Sequence, residues 1–84
     1  MVKKTVTVNH ETGLEARPIA MLVQKASQFS SQVHIEVGSK SINAKSIMGM
    51  MSLSVGSGEQ LVVVTEGKDE IEAAEEIETY LMAQ

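Results

Sequence analysis

A chain of 84 residues has room for one modest core; chains this short bury only about 60–65% of their extended surface, so a single domain over residues 1–84 is expected and a two-domain enzyme is excluded. Cysteine is absent, which rules out a disulfide framework, and with no leader-like apolar run at the start the expected compartment is the cytoplasm. The net charge of −4, with Phe29 and Tyr80 as the only aromatics, argues against a nucleic-acid surface, and apolar runs such as Leu61 to Val64 fall far short of the roughly 20 residues of a membrane span.

Along the chain, Val6 and Val8 alternate with Thr5 and Thr7, which predicts a half-buried strand over Lys3 to Asn9 ending in a turn-prone segment. From Pro18 the apolar residues Ile19, Leu22, Val23, Ala26 and Phe29 follow helical spacing, predicting an amphipathic helix to about Phe29 with Met21, Gln24, Lys25 and Gln28 on its other face. Val33, Ile35 and Val37 alternate with polar residues, and Gly38-Ser39 separates them from Lys40 to Asn43, predicting a hairpin. A short helix is expected from Ser46 to about Leu53, then a flexible turn at Gly56-Ser-Gly58. Gln60 to Thr65 is the most apolar strand and is expected at the centre of the sheet. Asp69 with Glu72 three residues later resembles a capping box opening a last helix, whose buried face would be Ile71, Ala74, Ile77 and Leu81. From Glu66 onward seven acids stand against one lysine, the pattern of a solvated face. This order of elements predicts an α+β fold: one antiparallel or mixed sheet with its helices gathered on one side.

Two stretches could carry chemistry. Thr12-Gly-Leu-Glu-Ala-Arg-Pro-Ile-Ala20 contains the only arginine and the only proline, and proline favours the first turn of a helix, where its missing N–H would have had no partner. Glu15 and Arg17 then flank a helix start, where free backbone N–H groups attract anions. The ordinary alternative is that Glu15 caps the helix and pairs with Arg17, at about 1 kcal/mol or less. In Asn43-Ala-Lys-Ser-Ile-Met-Gly-Met-Met-Ser-Leu53, Ser46 is placed as an N-cap. Met50 and Leu53 supply the buried side of a short helix, which leaves Ile47, Met48 and Met51 exposed beside the serine, with Lys45 adjacent. An exposed apolar cluster of this kind marks a partner surface, and methionine suits adaptable contacts; Met48 and Met51 filling gaps in an aromatic-poor core would satisfy the same spacing. A phosphate on Ser46 would be well tolerated at a helix start. His10 and His34 have no metal-ligand spacing and are expected at the surface. No nucleophile elbow and no glycine-rich phosphate loop occurs, so no catalytic set, metal or cofactor is expected.

Gly13-Leu-Glu-Ala-Arg-Pro18 resembles the active-site motif of the HPr family, the histidine-containing phosphocarriers of the bacterial sugar phosphotransferase system. Lys45-Ser-Ile-Met-Gly49 with Met51-Ser-Leu53 is similar to the regulatory serine region of that family in Gram-positive bacteria. The resemblance covers essentially the whole chain and implies an open-faced βαββαβα sandwich, a four-stranded antiparallel sheet with three helices on one face. Where the family has its phosphoacceptor histidine, this chain has Glu15 beside Arg17; a carboxylate cannot form a phosphoimidazole, so sugar phosphotransfer is expected to be lost. An intact serine motif without the histidine resembles the Crh branch, the catabolite-repression HPr-like proteins of bacilli, in which glutamine is the usual replacement. By resemblance, HPr kinase/phosphorylase would phosphorylate Ser46, and the phosphoserine form would act as corepressor of catabolite control protein A. The implied partner patch joins Glu15, Arg17, Ala20, Met21 and Gln24 to Ile47, Met48 and Met51. Two other assignments remain open: an HPr phosphocarrier altered from histidine at position 15, and an acylphosphatase-like hydrolase using Arg17 and Asn43. The latter is weak, because Gly13 to Arg17 is not that family's phosphate loop and a final helix is added.

Overall fold

The computed structural model describes residues 1–11 and 13–83. Alternation produces the sheet: β1 (Val2–Thr7), β2 (Gln32–Val37), β3 (Lys40–Asn43) and β4 (Gln60–Glu66) pair antiparallel in the order β1-β4-β2-β3. Val6, Val33, Ile35, Leu61, Val63 and Thr65 point to one face and are buried, as the two-residue period of a strand requires. The other face carries Lys3, Thr5, His34, Glu36 and Ser41 around Val62 and Val64. The expected central position of the Gln60 strand is observed. Val64 is buried even on the outer face, where its register partners Lys3 and His34 flank it, so β4 is apolar on both sides.

Three helices cover the inner face: α1 (Ala16–Ser27), α2 (Ile47–Met50) and α3 (Glu70–Met82). Ile19, Leu22 and Ala26 of α1, Met50 of α2, and Ala73, Ile77 and Leu81 of α3 join the strands in one core with Val8, Leu14, Leu53 and Val55. Fully burying a side chain such as Leu22, Ile77 or Leu81 contributes about 1.5–3 kcal/mol each. The strand expected to run through Asn9 leaves the β4 ladder after Thr7, and the chain is then held by Val8 N–H to Glu59 O at 2.9 Å and Asn9 N–H to Leu81 O at 3.0 Å. Among the described residues, no helix is long and apolar enough to cross a membrane.

Two expectations for α3 are corrected. Ile71 is 63% exposed, and Ala73 takes its place on the buried face with Ala74, Ile77 and Leu81. At about 100° per residue, Ile71 is rotated roughly a quarter turn away from the line through those four. Asp69 is the N-cap residue, but no capping box forms, because its side chain makes no bond to the helix. Its carboxylate reaches across the fold instead, accepting from Ser30 N–H at 3.0 Å, from Ser31 N–H at 2.9 Å and from the Ser31 hydroxyl. Gly67 permits this approach: its φ is 146°, and a Cβ there would lie 2.8 Å from Ser31 Cα. Glu70 does the local work, accepting from Gly67 N–H at 3.0 Å and from the Met1 amine at 3.0 Å.

The Ser31 hydroxyl, followed by Ser30 N–H, lowers the Asp69 pKa from 3.8 to about 2, and Gly67 N–H lowers that of Glu70. A carboxyl depressed in the folded state contributes stability that is present above its unfolded pKa and lost as pH falls through the folded one. Urea unfolding midpoints are therefore expected to hold down to about pH 4 and to fall between there and about pH 2. Asp69→Asn should lower stability near neutral pH and flatten part of that acid fall; a variant with the wild-type acid profile would contradict the assignment.

Candidate functional site

A backbone contact sets the relation between the two motifs. Leu14 N–H donates to Val55 O at 2.8 Å, and the two residues form an isolated antiparallel bridge. Gly13 makes the approach possible with φ at 77°, since a Cβ would sit 2.6 Å from Val55 O. The segment entering α1 is thereby fastened to the segment leaving α2, and α1 and α2 pack on each other. Thr12, which opens the first motif, lies outside the described residues.

Glu15 is the N-cap residue of α1, with φ −97° and ψ −174°, and its carbonyl accepts from Ile19 N–H at 2.9 Å. Its carboxylate makes no cap bond, and among the described residues no ion pair joins it to Arg17. The ordinary expectation, a capping Glu15 paired with Arg17, is thus not what forms. Glutamate is a poor N-cap because the shorter Asp, Asn, Ser and Thr reach the second and third N–H groups more readily. Glu15 and Arg17 are both exposed, and α1 begins two residues before Pro18, which sits in its first turn.

The start of α1 is also held by groups that helical periodicity does not flag. The Tyr80 hydroxyl donates to Pro18 O at 2.9 Å, and His10 Nε2 lies 2.8 Å from Tyr80 O. The rings of His10 and Tyr80 are 4.9 Å apart, and Lys25 Nζ lies 5.6 Å from the Tyr80 ring centroid. Burial pushes the Tyr80 pKa up. His10 and His34 are half-buried rather than fully at the surface. His34 lies on the outer face of the sheet, away from the helices. The available signal for Tyr80 was its being the only tyrosine, placed one turn from the end of an amphipathic helix.

Ser46 is the N-cap of α2 as expected, its Oγ accepting from Gly49 N–H at 3.2 Å. The expected helix to about Leu53 is shorter: α2 ends at Met50, and Ser52 N–H to Gly49 O and Leu53 N–H to Met50 O tighten the chain into a turn. The Ser52 hydroxyl also takes Gly49 O at 2.6 Å, a local bond of the kind that competes with helix continuation. This turn drives Leu53 and Val55 into the core. Met50 is buried while Ile47, Met48 and Met51 are exposed, so Met48 and Met51 face outward rather than fill core gaps. A Cβ on Gly49 would lie 3.2 Å from Ile42 Cγ2 and in ordinary contact with Ser46 Oγ at 3.4 Å, so glycine leaves room for the Ile42 side chain.

Lys45, next to the serine, is committed elsewhere: its Nζ donates to Phe29 O at 2.6 Å, and its N–H donates to Asn43 Oδ1 at 2.9 Å. The backbone N–H groups of Ile47 and Met48, in the first turn, have no acceptor within α2. On α1, Ala20, Met21 and Gln24 are exposed. Among the described residues, no group of three or more His, Asp or Glu is placed to hold a metal ion.

Gly13→Ala is expected to destabilise the fold by about 1–3 kcal/mol through strain at positive φ, with the Val55 contact adding to it. Ser46→Ala should cost about 0.5–2 kcal/mol as a lost cap, and Tyr80→Phe about 0.5–1.5 kcal/mol as a lost hydrogen bond. Chemical denaturation of the three variants measures this order; a Gly13→Ala chain as stable as wild type would contradict the bridge.

A family model described as "PTS HPr component phosphorylation site" matches residues 2–83. The chain is 51% identical over 81 residues to the HPr-like protein Crh of Halalkalibacterium halodurans, with 96% of each chain covered. It is 45% identical over 84 residues to the HPr-like protein Crh of Bacillus subtilis, covering 100% of this chain and 99% of that one. In structure it is similar to the phosphocarrier protein HPr from Bacillus anthracis, with a TM-score of 0.91 and 46% identity over 95% of each chain.

Proposed function

The chain belongs to the HPr family, and from that premise we propose that it is a cytoplasmic, non-catalytic regulatory module of carbon catabolite repression read through Ser46. HPr kinase/phosphorylase adds the phosphate, and the phosphoserine form serves as corepressor of catabolite control protein A, a repressor that itself contacts the DNA. The carrying observation is the pairing of an intact Ser46 N-cap with a carboxylate at Glu15, where the family's motif has histidine.

The two histidines present do not replace the missing acceptor. His10 Nε2 is taken up by Tyr80 O, and His34 is on the outer face of the sheet. Phosphotransfer from Enzyme I to a sugar-specific component is no part of the proposed function, in which Glu15 and Arg17 serve as exposed charge on the docking face.

At Ser46 the γ-phosphoryl group of ATP forms a bond to Oγ as ADP leaves and the hydroxyl proton is released. The new group carries about −1.5 to −2 charge and three acceptor oxygens. A helix of four residues has little macrodipole, so the N–H groups of Ile47 and Met48, which have no acceptor within the helix, are what receive the phosphate. Lys45 is tied to Phe29 O and does not neutralise it. The charge is thus presented outward, amid exposed Ile47, Met48 and Met51, with Ala20, Met21 and Gln24 extending the face along α1. One or two partner cations, at about 1.5–3 kcal/mol per charged hydrogen bond, raise affinity roughly tenfold to several hundredfold or more.

HPr kinase with ATP is expected to add one phosphate, Ser46→Ala to abolish it, and Enzyme I with phosphoenolpyruvate to label nothing. Mass spectrometry of the intact chain checks all three, and labelling of Ser46→Ala by Enzyme I would overturn the assignment. The second assignment, a phosphocarrier altered at position 15, shares the Ser46 chemistry and is separated by codon 15 of the source gene.

A further inference from the structure

The methionines around Ser46 fall into two sharply different environments. Met48 is 84% exposed and Met51 50%, whereas Met50 between them is fully buried. Met48 and Met51 are three residues apart and share one side of the α2 turn. The sequence contains no cysteine, so thioethers are the side chains of this chain most readily oxidised, with no thiol to intercept an oxidant first.

We propose that Met48 and Met51 form a peroxide-sensitive modification site on the docking face, and that reversible oxidation of their thioethers to sulfoxides releases the partner held through phosphorylated Ser46. The release rests on the docking role of that face; the modification itself rests on exposure alone. The oxidant is a hydroperoxide. A sulfur lone pair attacks one peroxide oxygen, the S–O bond forms as the O–O bond breaks, sulfur loses two electrons, and with hydrogen peroxide the other oxygen leaves as water. A dithiol-dependent reductase reverses the step, removing the oxygen as water and ending as a disulfide.

The consequence for docking follows from polarity. A methionine side chain fully buried at an interface contributes about 1.5–3 kcal/mol, which corresponds to about tenfold to a hundredfold in affinity, and a sulfoxide forfeits most of it. The fold does not suffer, because neither Met48 nor Met51 belongs to the core cluster. Two modifications with opposite effects then meet on one face: phosphate at Ser46 strengthens docking and oxygen at Met48 and Met51 weakens it.

The test treats the full Ser46-phosphorylated chain with dilute hydrogen peroxide and follows each methionine by peptide mass mapping. Met48 and Met51 are expected to gain one oxygen each well before Met50, which reacts at their rate only in denaturant, and the melting curve is expected to stay unchanged. Titration against catabolite control protein A is expected to show a loss of about tenfold or more on oxidation, restored by methionine sulfoxide reductase. The Met48→Leu/Met51→Leu variant, measured against its own untreated affinity, should lose clearly less on peroxide treatment than the wild type, what loss remains being that of exposed Met21 on the same face. Equal oxidation rates at Met50 and Met48 in the folded chain would overturn the site. Undiminished binding by the oxidised chain, or an equal peroxide effect on the double variant, would overturn the switch. If the untreated phosphoprotein does not bind the repressor at all, the docking role fails and the switch fails with it, while the oxidation pattern still decides the modification site.

Discussion

The close contact between Gly13-Leu14 and Val55 is the constraint on which the site depends. The two motifs are brought together from opposite ends of their helices: the exposed side of α1 begins at Glu15, and α2 is a single turn. The bridge between Leu14 and Val55 joins the entry of one to the exit of the other, and the positive φ of Gly13 is what lets the two backbones come within hydrogen-bonding reach. Leu14 and Val55 are also core residues, so the contact that sets α1 against the segment leaving α2 is anchored by the same burial that stabilises the fold.

Around that anchor, polar groups are divided between holding the fold and facing solvent. Lys45, Asn43, Tyr80 and His10 all have intramolecular partners. Glu15 and Arg17 form no ion pair with each other, and the first N–H groups of α2 lack helical acceptors. Residues adjacent in sequence are split the same way, with Met50 inside and Met48 and Met51 outside. Exposed charge and exposed apolar side chains are thus gathered at the α1 and α2 end of a frame in which Lys45, Asn43, Tyr80 and His10 are paired within the fold.

The elements and the core were largely legible in the sequence, because two-residue and helical periods report burial directly. The central placement of Gln60 to Thr65 followed from its apolar character, and Ser46 as a cap followed from local residue chemistry. What could not be read was non-local. Asp69 has every local feature of a capping residue, yet its carboxylate bonds Ser30 and Ser31, nearly forty residues away in sequence, and only the folded sheet brings them together. Tyr80 bonds Pro18 for the same reason. The short α2 and the uncapped Glu15 are local failures of a different kind: the Ser52 hydroxyl competes for a helix carbonyl, and glutamate has the wrong length for its position.

The strand order carries a consequence for how the protein is made. β1 is an edge strand whose one sheet neighbour is β4, with Val2 opposite Thr65 and Thr7 opposite Gln60. During synthesis the first strand therefore emerges long before its partner exists, and β2, although it has β3 beside it, also waits for β4 to complete its pairing. The sheet cannot close until β4, residues 60–66 of 84, is available. Such long-range pairing slows folding relative to helical proteins of equal size, and until β4 is available Val2 and Val6 of β1 have no neighbouring strand.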